Sequence, residues 1–270
     1  LSNRFIKAGG TAEKRDIIIS KQHDFRTDQK FWDSSVRQPK DCYRFAPCCT
    51  NMSQAKTVPK TRTMENPEGD SKSEADKASN QITEMLVSRC LRLIAVGAHV
   101  LIENPALGYF WLMPSVLLLS GLPGMYLVRI DHCTCGMPYK KPQLWLTTNK
   151  YLVQYAEKCF HPNKHPESLK GGKARASAPY PKALCTKLVH ACAEARVKGH
   201  KVESKTRQAA IAVLAHFSNE QTNAIQVALA DECRANGEKM IAEARSGAVA
   251  VSSAQAHEAL ELGTVSPTEP

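Results

Sequence analysis

The sequence predicts an α/β fold: a sheet with parallel strands, flanking helices, and a C-terminal helical extension. Three observations carry this expectation. Short β-branched or apolar runs recur through the first 150 residues and read as strands. Between two of them lies a segment whose apolar residues (Ile82, Met85, Leu86, Cys90, Leu93, Ile94) recur at helical spacing. Strand and helix signals therefore alternate, the pattern of a parallel sheet covered by helices. At 270 residues and 43% apolar content, the chain has length and hydrophobic material for one α/β domain plus an extension.

Taken in order, residues 16–20 (Asp-Ile-Ile-Ile-Ser) read as a strand, and Asp24 and Asp28 follow in a polar loop. Phe31 and Trp32 open a short helical or irregular stretch. Residues 41–46 read as a second strand, running into a turn at Pro47. Residues 54–73 are polar and charged and predict a loop. The helical spacing predicts a helix from Glu74 to about Gly97, where a glycine ends it. Residues 99–103 predict a buried strand and residues 125–131 another. Residues 144–148 suit an antiparallel strand. Residues 208–248 are alanine-rich and predict two helices broken around 219–223, and residues 249–270 predict a disordered tail. The expected organisation is an α/β domain over 1–196, helices over 197–248 and the tail beyond.

Residues 104–128 carry no charged side chain, a length that raises a membrane-spanning alternative. Pro105, Pro114 and Pro123, with Gly108, Gly121 and Gly124, cut the run into a loop, a short helix around 111–119, a turn and a strand. The expectation is therefore of no membrane span, with a membrane-associated protein as the lesser alternative.

The net charge of +10 is unevenly placed. Residues 1–63 carry 13 Lys/Arg against 6 Asp/Glu and residues 129–207 carry 16 against 5, whereas the segments between and after them are acidic. Two basic regions of this kind favour a polyanion such as nucleic acid, although solvated lysines alone would give the same composition. No signal peptide is visible, and the spacing of the ten cysteines does not suggest a disulfide framework. Reduced thiols in an intracellular protein are expected, and a DNA partner would fit a nuclear one.

Two segments stand out chemically. Residues 45–53 read Phe-Ala-Pro-Cys-Cys-Thr-Asn-Met-Ser, a cysteine pair in a turn after an apolar run. Residues 100–105 read Val-Leu-Ile-Glu-Asn-Pro, a Glu-Asn pair ending an apolar run. Downstream, Asp131-His132-Cys133-Thr134-Cys135-Gly136 leads to Lys140-Lys141-Pro142, and residues 178–185 read Ala-Pro-Tyr-Pro-Lys-Ala-Leu-Cys. In this order, over roughly residues 5–195, these segments resemble cytosine-C5 DNA methyltransferases. They are closest to a variant in mobile-element polyproteins, which has Ala-Pro-Pro-Cys-x-x-Phe-Ser-x-Ala-Arg, Glu-Asn-Pro, Asp-x-Cys-x-x-Gly with Lys-Pro, and Tyr-Pro-x-x-Leu-Cys. Here Cys48 replaces the second proline, Met52 the phenylalanine and Lys56 the arginine.

The resemblance implies a partial Rossmann-like methyltransferase sheet and S-adenosylmethionine-dependent methyl transfer to cytosine C5 in DNA. Cys49 would be the nucleophile, with Cys48 as the alternative. Glu103 would be the acid at N3 and Asn104 would hold the loop. Lys140 and Lys141 would contact nucleic acid, and Asp24 would contact the cofactor. Cys185 would lie in the core. The family's Phe-x-Gly-x-Gly cofactor turn has only Gly9-Gly10 as a counterpart, and the chain begins at Leu1. The cofactor-binding part is therefore expected to be lost or to lie outside this chain, and the enzyme to be truncated and degenerate. The alternative is a non-catalytic nucleic-acid-binding remnant.

Cys133, Cys135, Cys159, His161 and His165 are ligand types suited to zinc. The Cys-x-Cys spacing is tighter than the usual Cys-x₂₋₄-Cys, so no metal is assigned from the sequence.

Overall fold

The computed structural model describes residues 6–7, 11–13, 27–54, 61–162, 164–169, 179–218 and 224–253. The strand expected at 16–20, Asp24 and Gly9-Gly10 lie outside the described residues. The elements are α1 (Gln29–Arg37), β1 (Cys42–Phe45), α2 (Glu74–Ala95), β2 (His99–Pro105), α3 (Pro114–Ser120), β3 (Tyr126–Asp131), β4 (Pro142–Thr147), α4 (Lys182–Val197), α5 (Ser204–Ser218), α6 (Ala224–Ser246) and β5 (Ala250–Ser252).

The fold is mixed α/β. The five strands form one sheet in the order β1-β2-β4-β3-β5. β1 and β2 pair in parallel, Cys42 opposite His99 and Phe45 opposite Ile102. β4 enters antiparallel between β2 and β3, as its position after β3 and a short connection dictate. The parallel pair needs a crossover, and α2 supplies it. Ser73 caps α2 by accepting from the Asp76 N–H, and Glu74 and Asp76 place negative charge in its first turn. Gly97, at φ +89°, turns the chain out of the helix in a conformation open to glycine.

Side chains alternate across the sheet, and each face has its own core. Val100, Ile102, Leu127, Leu144 and Leu146 pack with residues of α2, α3, α5 and α6. Leu101, Val128, Ile130 and Trp145 pack on the other face with Leu152, Leu184, Leu188 and Ala191. β2 is buried nearly throughout because it is central and covered on both sides.

The C-terminal helices expected as an extension share the first of these cores through Val202, Ala210, Val213, Ala230, Cys233, Met240 and Ile241. Residues 250–252, expected within a disordered tail, instead form β5 against β3. The free edge of β3 imposes the extended conformation on a segment with little strand signal of its own. The uncharged run 104–128 is divided among the end of β2, a 3₁₀ turn at Tyr109–Leu112, α3 and β3. Among the described residues, no helix is long and apolar enough to cross a membrane. All ten cysteines are free thiols.

Candidate active site

β1 and β2 run parallel as neighbours, so the loops that follow them leave the same edge of the sheet. The first carries Cys49 and the second follows Glu103 and Asn104. Asn104 is buried and its Nδ2 donates to the Pro47 carbonyl at 3.4 Å, tying the end of β2 to the loop after β1. Gly108 packs closely against both loops: a Cβ there would lie 3.0 Å from Asn104 Oδ1, 3.1 Å from the Pro105 carbonyl and 3.4 Å from the Met52 carbonyl, so these neighbours would have to give by a few tenths of an ångström. Trp111 then donates through Nε1 to the Pro105 carbonyl at 2.9 Å and anchors the segment beyond.

Glu103 is 7% exposed. Tyr180 donates its hydroxyl to Oε2 at 2.6 Å, and Gln143 Nε2 donates to Oε1. His132 Nε2 donates to Gln143 Oε1 at 2.7 Å, which fixes the amide's orientation. His132 acts as the neutral donor because burial pushes its pKa down to about 4. The Arg44 guanidinium lies 4.5 Å above the Tyr180 ring. Burial raises the Glu103 pKa, while Tyr180, Arg44, Lys141 and Gln143 oppose the rise. Desolvation outweighs four favourable partners, so this carboxyl binds a proton more readily than an ordinary glutamate.

Cys49 is half-buried. Burial and the Glu103 charge raise its pKa, while Lys141 opposes them. Lys141 is itself lowered by burial, against the pull of Glu103 and Cys49. Cys49, Glu103 and Lys141 thus feel one another's charge. Cys48 is exposed, its Sγ donates to Thr50 Oγ1 at 3.4 Å, and it too raises the Cys49 pKa, less than burial and Glu103 do. Lys140 is exposed and Cys185 is buried.

No family model, curated protein or solved structure matches this chain. The case for a site rests on the geometry.

Sequence reasoning paired Cys49 with Glu103 and Asn104, and the fold brings them together with Lys141. It missed Tyr180, Gln143, His132 and Arg44 as partners of Glu103. Period-two alternation in β4 held part of the signal: Gln143 and Trp145 face the same side, and Trp145 sits opposite Glu103. None of these groups lines the cavity of about 530 Å³ between α1, α2 and the start of α3, whose walls include Trp32, Arg89 and Pro114.

The raised Glu103 pKa has a measurable consequence. The unfolded glutamate titrates near about 4.3. The folded one holds its proton to higher pH, so stability falls as pH rises through the folded value. Each tenfold gain in folded-state proton affinity is about 1.4 kcal/mol. Glu103→Gln keeps an acceptor for Gln143 and removes the buried charge. Its melting temperature should exceed wild type at neutral pH and converge with it near pH 4. A gap that is constant with pH, or largest in acid, would contradict burial as the dominant influence.

Proposed function

We propose that this chain is a cytosine-C5 methyltransferase-like domain on a partial Rossmann-like sheet, and that its described part binds and activates the target base in DNA. The observation that carries the reading is the delivery of Cys49 and Glu103 to one edge by the parallel neighbours β1 and β2. In open α/β sheets, ligands bind outside the carboxyl ends of parallel strands.

Cytosine C5 is a poor nucleophile until a thiolate adds to C6. In the free protein burial, and after it the charge of the nearby carboxylate, disfavours the thiolate. Transfer of the thiol proton to Glu103 removes that repulsion and leaves the two species required, a thiolate and a carboxylic acid. The Cys49 Sγ–C6 bond then forms, Glu103 gives its proton to N3, and the former C5=C6 electron pair becomes available at C5. Lys141 stabilises the thiolate, and Tyr180 and Gln143 hold the carboxyl in place. The base must leave the duplex to reach these groups.

S-adenosylmethionine would supply the methyl group. Among the described residues, no glycine-rich turn follows a strand to cradle it, and Asp24 and Gly9-Gly10 lie outside them. On this reading the described residues would supply base activation and not methyl donation. With the raised Cys49 pKa, this favours a second reading, a non-catalytic DNA-binding domain.

Exchange of the cytosine C5 hydrogen for deuterium separates the two without any cofactor. Reversible addition to C6 allows C5 to take up deuterium and lose its proton before elimination. Wild type should catalyse exchange in a flipped or mismatched cytosine, and Cys49→Ser and Glu103→Gln should each lose roughly 100-fold or more. Cys48→Ser should retain it. Salt-sensitive DNA binding with no exchange would establish the second reading. Absence of both exchange and DNA binding would overturn both.

A further inference from the structure

Cys133, the residue after His132, converges with Cys159, His161 and His165. Their ligand atoms all lie within 4.8 Å of one another. Cys159 Sγ is 3.0 Å from His161 Nδ1 and 3.3 Å from His165 Nε2. A tetrahedral zinc with bonds of about 2.3 Å to sulfur and 2.0–2.1 Å to nitrogen places its ligand atoms roughly 3.3–3.8 Å apart. The cluster fits that polyhedron with small adjustments.

The local backbone explains why these four residues meet and Cys135 does not. Residues His132–Cys135 form a 3₁₀ turn after β3. Residues two apart in such a turn point to different sides, since each advances by about a third of a circle. Cys133 faces the histidines, whereas Cys135 packs in the core with Trp145 and Leu184. The short Cys-x-Cys spacing therefore never had to serve as a chelate. The other three ligands come from one irregular loop, with Cys-x-His and His-x₃ spacing.

That loop is clipped at both ends. Glu157 N–H donates to the Arg129 carbonyl at 2.8 Å and Glu167 N–H to the Pro138 carbonyl at 3.1 Å. Among the described residues between the clips, Phe160 is 78% exposed and gives the loop no apolar anchor. The Cys159 N–H donates to Asp131 Oδ2 at 3.0 Å, and Arg129 holds the same carboxylate through Nε at 2.9 Å and Nη2 at 3.2 Å. Such supporting contacts orient a ligand-bearing segment independently of its side chain.

We propose that Cys133, Cys159, His161 and His165 form a structural zinc site that pins the 157–167 loop to the end of β3. Two thiolates and two imidazoles in a closed tetrahedral set select Zn²⁺ over harder ions. Binding displaces the two thiol protons to solvent, and no redox step is involved. The site leaves no open position for substrate. Its role is to hold the turn that carries His132, and through Gln143 the Glu103 carboxyl.

Metal analysis of the purified full chain tests this. One zinc per chain is expected after chelator-free purification. Co²⁺ replacement should give tetrahedral ligand-field bands with thiolate charge transfer at the intensity of two thiolates. His161 is exposed, so His161→Ala should fold and lower zinc affinity by roughly 100-fold or more. Cys159→Ser should halve the charge-transfer intensity or abolish metal binding, and Cys48→Ser should change neither. Substoichiometric zinc without a cobalt charge-transfer band would overturn the proposal. So would stoichiometric zinc unaffected by His161→Ala and Cys159→Ser. Neither readout depends on base activation.

Discussion

Gly237→Ala should lower the melting temperature by about 4–16 °C, although alanine is the better helix former. Gly237 lies within α6, where alanine would gain about 1 kcal/mol of helix propensity. The α3 backbone blocks that gain. A Cβ on Gly237 would lie 1.8 Å from the Leu117 carbonyl oxygen and 2.7 Å from Ser120 Oγ. The reciprocal contact is as close, since a Cβ on Gly121 would lie 1.7 Å from the Cys233 carbonyl oxygen. Ordinary contact needs at least 3.4 Å, so the helices must separate by more than an ångström. In both cases the nearest obstacle is backbone. Separation would loosen Val116, Leu119, Cys233 and Ile241, which share the core beside the crossing. Overpacking against backbone sits at or above the upper end of the usual ~1–3 kcal/mol, leaving a net loss of about 2–4 kcal/mol. A chain of this size loses about 2–4 °C per kcal/mol. Thermal unfolding of Gly237→Ala, Gly121→Ala and the double variant checks this. The double variant should lose less than the sum, because one separation relieves both clashes. A rise in melting temperature for Gly237→Ala would show that the helices do not meet there.

Asp76→Ala should cost about 3–5 kcal/mol and loosen the loop behind Cys49. Asp76 is fully buried in the first turn of α2. Its carboxylate accepts from Asn51 Nδ2 at 2.6 Å and from the Asp70 N–H at 3.0 Å, and Arg62 Nε lies 3.4 Å away. Arg62 is also buried, and its Nη2 donates to Ser79 Oγ at 2.7 Å. Removing the carboxylate leaves a buried guanidinium without its counter-ion, the costly way to break such a pair. Asn51 stands two residues from Cys49, so the same change frees the nucleophile's loop. Denaturant unfolding measures the first effect, and the rate of Cys49 modification in Cys48→Ser backgrounds measures the second. A loss below about 1 kcal/mol would mean that Arg62 finds solvent without Asp76.

The pH dependence has a defined sign. Burial raises the Asp76 pKa, but donors from Thr61, Asp70 and Asn51, with the Arg62 charge, outweigh it and hold the group below its ordinary value. A depressed folded pKa gives stability that is present above the unfolded value, about 3.9, and lost as pH falls through the folded one. The Asp76→Ala deficit should therefore shrink in acid below about pH 4. Glu103 acts in the opposite sense, and the two substitutions separate the contributions.

Element types were legible where apolar spacing was strong. The helix expected from Glu74 to about Gly97 is α2, and the strands expected at 99–103, 125–131 and 144–148 are β2, β3 and β4. Their order was not legible. Placement of β4 between β2 and β3 depends on cross-strand pairing, which leaves no local signature. β5 was misread because Ala250, Val251 and Ser252 are small, and their conformation comes from the β3 edge. Cys49 and Glu103 were legible because each ends an apolar run. The partners of Glu103 were not, since Arg44, His132, Gln143 and Tyr180 come from four separate segments. Cys133 and Cys135 diverge because of a 3₁₀ turn that spacing alone does not reveal.

The pairing of β5 with β3 has a consequence during synthesis. Leu127 meets Val251, and Ser253 Oγ both accepts from the Met125 N–H at 3.2 Å and donates to the Leu122 carbonyl at 2.7 Å. At about 5–20 residues per second, the ribosome needs roughly 6–25 s to make the intervening chain. Throughout that interval β3 presents a bare edge able to pair with another nascent chain. β5 is therefore also the cap that ends a period of exposure. A chain cut before Ala250 would leave that edge permanently open, and its yield should be limited by aggregation even where the remaining core is intact.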